Sequence, residues 1–211
     1  MNPETETIVL VHGLWMRGLV FWPQRRWLTR RGFVVRAFTY PSVRAGLAEN
    51  ADALARFIAG IAAPRIHLVG HSLGGLVVLS MLAEHPDPRL GRVVLMGSPC
   101  GGSHCAEVLM RRRGLSAIVG RSLSDWLRLP RPQPPAAVEI GVLAGNRRLG
   151  LGRIIPGLPR PNDGVVTVEE TRLAAACDSI TLPVGHSQML VSPACADQVA
   201  VFLRTGSFRH A

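Results

Sequence analysis

The chain contains no lysine. Its net charge of +10 comes from 24 basic residues, all arginine, against 14 carboxylates. Tyrosine occurs once, and aromatic residues make up only 5% of the sequence. Nucleic-acid binders cluster their cations beside rings that stack on bases. Here the arginines are scattered from Arg17 to Arg209, and the one tight run is Arg111-Arg112-Arg113. No nucleic-acid partner is expected. A dispersed cationic surface predicts at most a weak, salt-sensitive attraction to anionic membrane surfaces. No apolar run approaches the roughly 18 residues that a spanning helix needs. Met1 to Thr7 carries two glutamates and no base, which is not the pattern of a secretory leader. The four cysteines, Cys100, Cys105, Cys177 and Cys195, form neither a CxxC pair nor a zinc spacing. Reduced thiols in a cytoplasmic protein, with no metal and no cofactor, are therefore the expectation.

With 47% hydrophobic and 18% charged residues, the 211-residue chain is not disordered, and its length suits one domain spanning 1–211. Ile8-Val9-Leu10-Val11 is a continuous apolar run, the mark of a strand buried on both faces. A helix is predicted over 19–31, a strand over 33–40, and a helix over 47–62, where Leu47, Ala51, Leu54 and Ile58 recur at helical spacing. A strand at 66–69, an apolar helix at 73–84 and a strand at 92–96 follow, and strand character returns at 138–143 and 179–184 before a last helix at 194–203. This alternation predicts an α/β fold, a mostly parallel sheet with helices on both faces. Regularity weakens between 100 and 135, where a helix over 105–113, an amphipathic stretch over 122–129 and a stiff proline-rich connector over 130–135 read as a lid-like excursion over one sheet edge.

Chemistry concentrates in Gly70-His71-Ser72-Leu73-Gly74, followed by Gly75. Lying between an apolar strand and an apolar helix, such a G-x-S-x-G turn is tight and strained, and it pushes the serine oxygen out above the sheet. Ser72 is the candidate nucleophile. Together with Val11-His12-Gly13-Leu14, Asn162-Asp163-Gly164 and Gly185-His186-Ser187, this motif resembles the α/β-hydrolase superfamily, and within it the small bacterial lipases and esterases. The resemblance covers about residues 8 to 204.

A serine hydroxyl needs a base within about 3 Å. Of seven histidines, His186 follows the last strand and so emerges at the carboxyl edge where ligands bind in open α/β sheets. His71, inside the elbow, points elsewhere on this reading. The base in turn needs a carboxylate to fix its tautomer. Asp163 precedes His186 by 23 residues and completes the order Ser, Asp, His. Asn-Asp-Gly is also an ordinary turn signal, and Asp178, Asp125 and Asp197 are rivals. The amide of Leu73, after the nucleophile, is one expected oxyanion donor. The resemblance implies the amide of Leu14 as the second, with Trp15 as the neighbouring alternative. Trp15, Met16 and the apolar residues around Trp126 are candidates to line an acyl groove, with plain core packing as the other reading of Trp126. The resemblance implies cleavage of a small-molecule acyl ester or lipid, while the residues themselves point only to acyl-transfer chemistry. Deacylation of phospholipids or thioesters, or acyl transfer, would use the same groups, and a non-catalytic cationic binding protein is the competing class.

Overall fold

The computed structural model describes residues 6–112, 116–149 and 157–210. Six strands, β1 (Thr7–Val11), β2 (Val34–Phe38), β3 (Ile66–His71), β4 (Leu90–Met96), β5 (Ile140–Gly145) and β6 (Asp178–Leu182), form one sheet in the order β2-β1-β3-β4-β5-β6. Every pairing is parallel. The helices are α1 (Trp22–Arg30), α2 (Leu47–Ala59), α3 (Leu73–Glu84), α4 (His104–Arg111), α5 (Ser116–Arg128) and α6 (Pro193–Thr205). Arg113, the expected end of α4, lies outside the described residues. Helix α5 begins earlier than its amphipathic pattern indicates, and it is kinked at Gly120, where φ is 72°.

Strand alternation divides the apolar residues between two cores, because successive side chains leave opposite faces of a sheet. Val9 and Val11, Ile66 and Leu68, and Val93 and Leu95 face the core capped by α2 and α3. Ile8 and Leu10, Val69, and Val94 and Met96 face the core under α1 and α6. Helix α3 is buried from Leu73 to Leu82, which explains its apolarity all round. Among the described residues no helix is long and apolar enough to cross a membrane.

The chain lays β2 on one side of β1 and then crosses to place β3 on the other. This reversal is a topological switch point, and it opens a crevice at the carboxyl ends of the two strands. Val11 pairs with Gly70 in register, so the turns that follow, His12-Gly13-Leu14 and His71-Ser72, leave the sheet side by side.

The segment between 100 and 135 is tied down at its second half. Arg121 N–H donates to Val43 O at 2.9 Å, Ser122 Oγ to Ala45 O at 2.9 Å, and Asn50 Nδ2 to Ser122 Oγ at 2.8 Å. Asp125 caps the start of α2 by accepting from Leu47 N at 2.9 Å. These bonds anchor α5 beyond its kink to the N-terminal turn of α2.

Candidate active site

Ser72 occupies the elbow between β3 and α3 with φ 54° and ψ −125°. A non-glycine residue there costs about 1–3 kcal/mol, which the surrounding fold must over-determine. It does so by close backbone approach. A Cβ on Gly70 would lie 2.5 Å from Gly75 Cα, and one on Gly74 would strike the carbonyls of Val11 and His12. Ser72 N–H is fixed by Met96 O at 2.9 Å, and the side chain is half-buried.

His186 follows β6 and precedes a short 3-10 turn at Ser187–Val191. Its Nδ1–H donates to Asp163 Oδ2 at 2.7 Å. The other carboxylate oxygen of Asp163 accepts from Val165 N at 2.9 Å and Val166 N at 2.8 Å. Asp163 is 1% exposed and His186 6%. The loops are also joined by His186 N–H to Asp163 O at 2.9 Å. Glu170 buttresses the carboxylate's loop, accepting from Thr167 N at 2.7 Å and from His104 N at the start of α4.

The three rival carboxylates have other work. Asp178 accepts from Phe208 N at 2.7 Å at the start of β6, Asp197 pairs with Arg31, and Asp125 caps α2.

Beneath the β1 turn, His12 Nε2 accepts from Tyr40 N at 3.3 Å, so the proton sits on Nδ1, which donates to Gly13 O at 2.8 Å. Burial lowers the His12 pKa and keeps this ring neutral. Tyr40 Oη donates to His12 O at 2.6 Å. The backbone entering Leu14 is thereby held from both sides. Trp15, at φ 60°, spends its amide on Ser42 Oγ at 3.1 Å and its indole N–H on Ile118 O at 2.8 Å. Ser42, 27 residues away in sequence, carries no motif that would have announced this.

A cavity of about 340 Å³ opens at the carboxyl edge. Ser72, Leu73 and His186 line its floor together with Leu14, Trp15 and Met16. Cys105, Ala106 and Leu109 from α4, Ile118, Val119 and Leu123 from α5, and Val165 and Val166 complete an apolar wall. Among the described residues that line it, none bears a carboxylate or a guanidinium. Trp126 does not line this cavity, contrary to expectation: it is 3% exposed in the α2–α3 core and borders a separate hollow beside Leu47, Asp52 and His85, because the apolar face of α5 is divided between that core and the cavity, which Leu123 reaches. The His71 ring packs against that of His186 with 4.7 Å between centroids; it shares strand parity with Val69 and so faces the α6 side from which His186 comes.

A wholly parallel sheet with a strained turn at Ser72 and a buried Asp163–His186 pair at its carboxyl edge fits the α/β-hydrolase class. The model of the alpha/beta hydrolase family matches residues 8–202, and the chain belongs to that family. It is 34% identical over 148 residues to a Yersinia enterocolitica protein named "Putative carbamate hydrolase RutD", a match covering 60% of this chain and 52% of that one. The chain thus spans about half the length of that curated relative. In three dimensions it superimposes on the mature lipase BlEst2 of Bacillus licheniformis with a TM-score of 0.80, covering 97% of this chain and 93% of the lipase at 21% identity. A metagenomic carboxyl esterase aligns with a TM-score of 0.71 and 22% identity, over 88% of this chain and 65% of its own.

Proposed function

We propose that the protein is a serine hydrolase that cleaves uncharged carboxylic esters through an acyl-enzyme. The observation that carries this reading is the buried Asp163–His186 pair, bonded at 2.7 Å, opening into the same apolar cavity as Ser72. In this scheme Ser72 Oγ attacks the ester carbonyl carbon while His186 Nε2 takes the hydroxyl proton. Asp163 holds the Nδ1–H tautomer and stabilises the imidazolium. The carbonyl oxygen, now an oxyanion, accepts from the amides of Leu73 and Leu14; the engagement of the Trp15 amide with Ser42 favours Leu14 over its neighbour. Collapse of the tetrahedral intermediate expels the alcohol, which receives its proton from His186. A water, deprotonated by the same histidine, then releases the acid.

The relative named for carbamate hydrolysis offers carbamates as the second reading, but the wall of Leu109, Val119, Leu123 and Val166 suits the apolar acyl chain of an ester. Helix α4 and the first turn of α5 serve as the cap over that chain. The test is hydrolysis of p-nitrophenyl acyl esters from acetate to laurate by the wild type and by Ser72→Ala. Activity lost in the variant supports the reading, and activity retained there refutes it. A wild type that cleaves only p-nitrophenyl carbamates would replace esters with carbamates.

A further inference from the structure

We propose that His71 is a positioning residue for the base, its imidazole tethering the backbone of His186 while packing against the His186 ring. The inference rests on the reading of His186 as base and Ser72 as nucleophile. His71 Nε2 lies 3.0 Å from His186 O, and a carbonyl only accepts, so Nε2 carries the hydrogen. The opposite nitrogen, Nδ1, is buried and has no hydrogen-bond partner among the described residues. A proton there would be a buried donor without an acceptor, an arrangement that costs too much to persist. The ring is therefore the neutral Nε2–H tautomer. Burial, the largest influence, together with the facing His186 holds its pKa down to about 3. Asp163 and His12 are the other titratable groups that act on it.

Neutrality matters at this position. The two rings are 4.7 Å apart and tilted by 47°. A cation on His71 would oppose the imidazolium that forms on His186 at each proton transfer, whereas a neutral ring packs against it without that repulsion. The same ring lies beside the turn that carries Leu14, close enough that a Cβ built on Gly13 would sit 3.3 Å from His71 Nδ1. One side chain thus spans the serine elbow, to which its own backbone belongs, the loop of the base, and the turn that presents Leu14.

The experiment compares wild type, His71→Leu and His71→Gln on p-nitrophenyl butyrate, with fluorophosphonate labelling of Ser72 in parallel. Leucine fills the space without a donor, and glutamine keeps an N–H near the position of Nε2. A base displaced by a fraction of an ångström should cost about 10–100-fold in kcat. The account expects that loss in His71→Leu with KM little changed, a matching slowing of labelling, and recovery of most of it in His71→Gln. A residue that only fills the core would let both folded variants turn over alike, and that result overturns the inference. Should His71→Leu fail to fold, ¹⁵N imidazole spectra of the wild type decide instead: the Nε2–H neutral form between pH 5 and 8 supports the tether, and an Nδ1–H or protonated ring refutes it. A wild type that neither labels nor hydrolyses would overturn the reading of Ser72 and His186, and this inference with it. A labelled wild type beside an equally fast His71→Leu overturns this inference alone.

Discussion

Replacing Asp163 with asparagine separates orientation of the base from stability of the fold. The carboxylate has two tasks: Oδ1 accepts from the amides of Val165 and Val166, and Oδ2 accepts from His186 Nδ1 at 2.7 Å. An asparagine can keep its oxygen on the two amides, which obliges its NH₂ to face His186. That histidine must then offer a lone pair on Nδ1 and carry its hydrogen on Nε2, the nitrogen that should receive the serine proton. The wrong tautomer costs about 10⁴-fold in kcat in the best-studied triads, roughly 5 kcal/mol of transition-state stabilisation. Asp163→Ala instead leaves both amides without an acceptor in a buried loop. Its expected cost is roughly 2–4 kcal/mol of stability, a Tm lower by about 5–10 °C. Steady-state hydrolysis of a p-nitrophenyl ester and a thermal melt on both variants form the assay. The expected pattern is a nearly inactive Asp163→Asn with a near-native Tm, beside an inactive Asp163→Ala that melts early. An Asp163→Asn enzyme within about tenfold of wild type would refute the assignment of the carboxylate.

Other consequences are independent of that experiment. Ala106 is 3% exposed and lines the cavity, so Ala106→Phe should abolish turnover of long acyl esters while sparing acetate and butyrate, read from a chain-length series. Burial pushes the thiols of Cys100 and Cys105 up to about 12 and that of Cys195 to about 11, whereas Cys177 is exposed. A thiol-exchange reagent should therefore react fastest with Cys177 in the native protein and with all four cysteines of the chain alike in denaturant. Burial also lowers the pKa values of His12, His67 and His71 from the usual histidine value of 6.5. The unfolded chain then binds more protons than the folded one below that value. Stability conferred by their neutral forms is complete above pH 6.5 and declines as pH falls, by up to about 1.4 kcal/mol per pH unit for each group. Urea titrations at pH 7.5, 6 and 5 should show this decline, and a flat profile would contradict the burial argument.

The sheet, its two faces and the elbow were legible because period and chemistry agree there. The apolar run Ile8–Val11 and the largely apolar Ile66–Val69, each short and closed by a glycine-bearing turn, suit buried strands, and the small residues around Ser72 are required by backbone approach at Gly70 and Gly74. The Asp163–His186 hydrogen bond joins two loops that the sequence marked by their positions after strands and by the motifs of the resemblance, with Asp178, Asp125 and Asp197 left as rivals. What stayed hidden depends on packing between distant segments. An amphipathic stripe over 122–129 marks one apolar face, but not that the face is shared between a core and a cavity, so Leu123 reaches the cavity and Trp126 does not. Nor does composition reveal that Ser42 takes the Trp15 amide or that α5 is stitched to residues 43–50, since those bonds join residues 27 to 78 positions apart.

The proposed chemistry requires that Ser72 be a nucleophile activated by the Asp163–His186 pair. Fluorophosphonate labelling followed by intact-mass measurement reads this without knowledge of the natural substrate. A single adduct on the wild type, mapped to Ser72, absent from Ser72→Ala and strongly slowed in His186→Ala, is the predicted result. A folded wild type that takes no adduct, or one that takes it equally well without Ser72, would contradict it.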